Sequence, residues 1–206
     1  LTLKLKVPES EVSEDRLAHL LSYQKYYDTN ILNYQDHWRI VQNIAMYAEQ
    51  AGVPEYFIYH SALDVLGKKE QKYLADFTKL TDIGISGGYY EGWGSNTNCI
   101  DKMYSMIGVM LRNYKDAKFI TLQDLIFAIK NNNEPKSRLV CIPNFALSKE
   151  EGGNVASWEL SHVLSWILNH HSRGKQVVIY VEELDFIDQQ YGGVLRTHID
   201  NHFRKF

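Results

Sequence analysis

Apolar and polar residues alternate strictly at the start of the chain. Leu1, Leu3, Leu5 and Val7 fall on one side and Thr2, Lys4 and Lys6 on the other, until Pro8 ends the run. A period of two predicts a half-buried strand or an extended arm. The period then lengthens. Ser10 to Tyr27 predicts a helix, with Ser13 before the acids Glu14 and Asp15, and with Leu17, Leu20 and Leu21 at helical spacing. A second helix is predicted from Tyr34 to Gln50, carrying Trp38, Val41, Ala45 and Ala48, closed by Gly52 and Pro54. Ala62 to Leu66 reads as a helical turn and Glu70 to Leu80 as a short helix.

From Asp82 the pattern changes. Ile83 to Tyr90 is short and rich in glycine and aromatics, and runs into the loop Glu91 to Asn98. The helix predicted from Cys99 to Asn113 stacks Met103, Met106, Ile107, Met110 and Leu111 on one face. Lys118–Thr121 predicts a brief strand, and Leu122–Lys130 a helix. Arg138–Phe145 predicts a strand whose run Leu139–Ile142 is apolar throughout, as expected where both faces are covered. A polar loop, Ser148–Asn154, leads to a helix over Trp158–His171, then a strand over Val177–Val181. The segments Leu184–Gln190 and Val194–Phe203 read as helices, and no fifth strand shows before Phe206. This alternation predicts an α/β fold, a parallel sheet with crossover helices on both faces, over residues 51–206. Residues 1–50 form a strand or arm and a helical extension.

Composition narrows the function. With 22 basic and 25 acidic side chains the formal net charge is −3, so any nucleic-acid surface must be a local patch. No apolar run approaches the ~20 residues of a membrane span. A start on Leu1 rather than Met reads as a position inside a longer product. The two cysteines, Cys99 and Cys141, form no C-x-x-C pair and read as half-buried thiols of a reducing cytoplasm.

In such sheets the first strand-to-helix turn is the usual phosphate cradle. Laid on G-x-x-x-x-G-K-S/T, the loop puts Gly92 at the first glycine and Gly94 within the turn. The second glycine then falls on Thr97, the lysine on Asn98 and the hydroxyl residue on Cys99. The loop length fits and the functional side chains do not. Asn98 brings no charge to a triphosphate, and Cys99 is a soft partner for Mg²⁺. A nucleotide hydrolase also needs an acid at the tip of a buried strand, where this sequence has Pro143 and Asn144. These positions read as a vestigial nucleotide loop and a vestigial acidic motif, with no catalytic residue and no ATP or Mg²⁺ as cofactor.

Three further stretches carry a resemblance. They are Ala51-Gly52-Val53-Pro54-Glu55-Tyr56-Phe57 with Ala62-Leu63-Asp64, then Lys118 to Ile126, and then Asp188-Gln189-Gln190-Tyr191-Gly192 running on to Ile199. In order and spacing, about three quarters of the chain resembles the AAA+ domain of bacterial replicative-helicase loaders and insertion-sequence transposition ATPases. The resemblance implies a role in DNA replication, as a non-hydrolysing adaptor that binds a helicase, an AAA+ ATPase partner or DNA in the cytoplasm, alone or as a homo-oligomer. It also implies the alternatives of an unorthodox ATPase, using Lys102 and Glu182 or Glu183, and of a phage- or plasmid-encoded mimic that inhibits a host loader. The helices of Ser10–Gln50 would be the interaction element. Arg112, Lys115, Lys118, Lys130, Arg173 and Arg196 are the candidate DNA or phosphate contacts.

Other clusters read more plainly. His198 and His202 share a helix face, but His162, His170, His171, His198 and His202 read as partly exposed polar positions, with no metal. Glu182, Glu183, Asp185 and Asp188 read as a solvated loop with acids at a helix start. Tyr89, Tyr90 and Trp93 read as filler of a vacated pocket.

Overall fold

The computed structural model describes residues 31–32, 34–92, 96–147 and 157–206. The strand predicted over Leu1–Val7, the helix over Ser10–Tyr27, the loop Ser148–Asn154, Trp93 and Gly94 lie outside the described residues.

The elements run α1 (Tyr34–Gln42), α2 (Ile44–Ala51), α3 (Tyr56–Tyr59), α4 (Lys68–Ala75), α5 (Phe77–Asp82), β1 (Gly87–Glu91) and α6 (Asn96–Arg112). They continue β2 (Ala117–Phe119), α7 (Leu122–Lys130), β3 (Leu139–Ala146), α8 (Ser157–Ser172), β4 (Gln176–Val181), α9 (Leu184–Tyr191), α10 (Gly193–His202) and β5 (Phe203–Lys205). All strand pairs are parallel and the order is β2-β3-β4-β1-β5. The α/β fold with a parallel sheet and crossover helices is therefore as the alternation predicts.

The apolar strand runs explain the layering. In β3, Leu139 and Cys141 join one core and Val140 and Ile142 the other. In β4, Val178 and Tyr180 oppose Val177, Ile179 and Val181. The first core is closed by α6 through Met103, Met106, Ile107 and Met110, together with residues of α1 to α5. The second is closed by Leu125 of α7, Val163 and Ile167 of α8, Ile187 of α9, and Leu195 and Ile199 of α10. Each such side chain, fully buried, contributes about 1.5–3 kcal/mol.

Several expectations change. The single helix predicted over Tyr34–Gln50 is two, broken at Asn43, whose backbone (φ −129°, ψ 33°) leaves the helical region. Val41 and Ala48 enter the first core while Ala45 is exposed, so the stripe expected to dock a partner is largely internal packing. The short helix expected over Glu70–Leu80 divides at Asp76. A fifth strand does exist: helix α10 stops at His202, and Phe203–Lys205 pairs with Gly87–Tyr89. Among the described residues no helix is long and apolar enough to cross a membrane.

Candidate functional site

With β1 between β4 and β5, the chain leaves β1 through α6 on one face of the sheet and leaves β4 through α9 on the other. The crevice at the carboxyl ends of β1 and β4 is the topological switch point where such sheets hold ligands. Gly92, just after β1, and Asn96, at the start of α6, flank that crevice.

Described groups at the ends of β1 and β4 bond to one another. Gly92 has φ 153°, a backbone that suits only glycine, with open space where a Cβ would stand. Its N–H donates to Val181 O at 3.3 Å, and its carbonyl accepts from the Tyr180 hydroxyl. Thr97, Asn98 and Cys99 fall in the first turn of α6, with Asn98 exposed and Cys99 half-buried. Burial raises the Cys99 thiol above its ordinary range, Lys102 opposes the rise and Glu70 adds to it, so the group stays protonated.

One turn further along α6, Lys102 donates to Glu70 at 2.7 Å and sits 5.5 Å from the centre of the Tyr90 ring. Glu70 is only 3% exposed. Lys102 is thus committed to a buried carboxylate. Tyr90 itself is buried beneath α6 and donates to Met106 Sδ at 3.7 Å, while Tyr89 is only half-buried. Burial first, then Glu70, pushes the Tyr90 hydroxyl far up its range.

Glu91, at the tip of β1, is a residue the sequence reading missed. Its carboxylate accepts from Lys205 of β5 and, at 3.2 Å, from the Leu184 N–H that opens α9. The Lys205 hydrogen bond, followed by the Leu184 N–H, holds it below the usual carboxylate range despite partial burial. A helix start and a lysine beside the loop, groups that could meet an anionic ligand, are occupied by the protein's own anion.

The acidic-motif position has a local task too. Pro143 and Asn144 lie where the register of β3 on β4 slips between Ile142 and Ala146, and the missing N–H of proline is tolerated at such a bulge. Asn144 Oδ1 accepts from Leu122 N at 2.8 Å and its amide donates to Gln123 Oε1 at 2.7 Å, so it holds the start of α7. Glu182, after β4, is buried, and its N–H donates to Ala146 O at 3.0 Å.

The candidate phosphate contacts are mostly engaged elsewhere. Arg112 donates to the carbonyls of Phe57, Ile58 and His60 at 3.2, 2.9 and 3.3 Å, and burial pushes its guanidinium down to about 10. Lys115 lies over the Phe77 ring, and Lys130 pairs with Glu159 and covers Trp158. Arg196 pairs with Asp185 at 3.2 Å and Asp200 at 3.0 Å. Lys118 is half-buried on β2 and Arg173 is exposed after α8.

The histidines form a different group from the one the sequence suggested. His171, His198 and His202 gather with ring centres 4.8 to 5.0 Å apart. His198 Nε2 bonds Ser86 Oγ at 3.2 Å and His202 Nδ1 donates to Gly84 O at 2.8 Å. Among the described residues no group of three or more His, Cys, Asp or Glu is arranged to hold a metal ion.

Neither a family profile nor a curated protein matches the sequence. Among solved structures, the crystal structure of the DnaC helicase loader superposes with a TM-score of 0.52 at 11% identity. The match covers 66% of this chain and 84% of that one. The fold is shared. At this identity the likeness carries the parallel sheet and its helices, and no side chain of the crevice.

Proposed function

We propose that this chain is a non-hydrolysing, AAA+-like adaptor of DNA replication, acting through contacts with a replicative helicase, an active ATPase partner or DNA. The observation that carries the reading is the crevice itself. Between β1 and α6, which meet at the switch point, the sequence has the length of a nucleotide loop, yet Asn98 and Cys99 replace its lysine and hydroxyl, and Asn144 replaces the acid. Lys102, the nearest replacement for the lost lysine, is tied to Glu70, which weighs against an unorthodox ATPase. The fold shared with a helicase loader's structure supports the biological setting, and the neutral side chains at the crevice support the adaptor role.

The test is twofold. Size-exclusion chromatography of the chain with a purified replicative helicase should give a co-eluting complex, with or without ATP, and a phosphate-release assay on the chain alone should stay at background. Separate elution from the helicase and from its ATPase partners, with no DNA retained, contradicts the reading; so does phosphate release well above background.

A further inference from the structure

Although the net charge of the chain is −3, one cleft runs against it. A space of about 320 Å³ lies between α4 and the end of β5, with Lys69, Lys72, Asp76, Arg204, Lys205 and Phe206 in its walls. Asp76 pairs with Lys79 at 3.5 Å and Lys205 with Glu91. Lys69, Lys72 and Arg204 are exposed and make no ion pair with a described residue. The two lysines are three positions apart on α4 and so share a side of the helix, and Arg204 joins them from β5. Among the described residues the cleft therefore keeps three cations unanswered, which fits an anionic occupant.

Two further features decide its kind. Strand β5 is the outermost of the sheet, so one of its edges has no strand partner among the described residues, and an extended peptide can add there with main-chain hydrogen bonds. The aromatic rings are turned inward: Phe206 meets Tyr73 edge-on at 5.1 Å and lies 4.9 Å from Tyr90, while the Tyr73 hydroxyl binds Gln176. These rings belong to the core and do not form the stacking platform that single-stranded nucleic acid uses.

We propose that this cleft takes an acidic, extended segment of a partner protein, its carboxylates on Lys69, Lys72 and Arg204 and its backbone along the free edge of β5. The inference rests on the adaptor reading, whose protein contact it locates. A short fluorescein-labelled peptide of alternating Glu and Val, titrated with the full chain and followed by anisotropy, tests it. Binding should saturate, weaken with salt, weaken about tenfold in K69E/K72E and in R204E, and persist in K69R/K72R. All three positions are at the surface, so the variants should melt with the wild type, which circular dichroism checks. The proposal is overturned by no saturable binding, by binding that charge reversal leaves unchanged, or by an oligothymidylate that binds these same lysines and excludes the peptide. No helicase enters the titration. A failure here is thus separate from a failure to co-elute with one.

Discussion

At the scale of single residues, the Glu70–Lys102 pair joins α4 to the first turns of α6. Removing one partner leaves a buried charge alone, which costs far more than a surface pair gains. Lys102→Met should lower stability by about 3 kcal/mol, and the double variant with Glu70→Gln should recover part of that loss in urea titrations; additive losses would show that the two are not coupled. The histidines give a second expectation. Burial first, then His171 and His202, pushes His198 down to about 4; burial first, then Lys175, does the same to His170. An unfolded chain takes up these protons near 6.5. Stability is therefore complete above about pH 6.5 and is lost as pH falls toward 4. Urea midpoints recorded from pH 7 to 4 should decline through that window, with a shallower decline in His198→Asn. A flat profile contradicts the assignment.

At the scale of elements, Asn144 shows how a position that reads as a lost catalytic acid serves a helix. Asn144→Ala removes the acceptor for the first-turn amide of α7 and should cost about 1 kcal/mol, as loss of a helix cap does; an unchanged melting curve would deny it that role. Gly108 has the opposite character, since a Cβ there would lie 1.9 Å from the Phe57 carbonyl oxygen. Gly108→Ala should push α3 from α6 and destabilise by about 1–3 kcal/mol, read as a lower urea midpoint. Elements whose signal is local were legible in the sequence. The apolar runs of β3 and β4 and the methionine face of α6 fall where the pattern put them. Strand β5 was not legible, because Leu195, Ile199 and Phe203 repeat every four residues and read as one continuing helix face. All three are buried in the same core, but pairing with Gly87–Tyr89 turns the last of them into a strand. The partners of Glu91 and Lys102 were equally invisible, since Lys205 and Glu70 stand 114 and 32 positions away.

At the scale of the whole molecule, the sheet order sets a crevice between β1 and β4, and the side chains decide what it can do. There the protein supplies its own anion through Glu91 and its own ion pair through Lys102, and ties both ends of the Gly92 peptide into the sheet. The central claim is that this crevice keeps the architecture of a nucleotide site without its grip. The most direct test is the melting temperature of the chain in millimolar ATP and Mg²⁺. A ligand held at ~100 times its dissociation constant would add ~2.7 kcal/mol and raise the midpoint by several degrees. The account predicts no shift, and a saturable upward shift that Lys102→Met abolishes would contradict it.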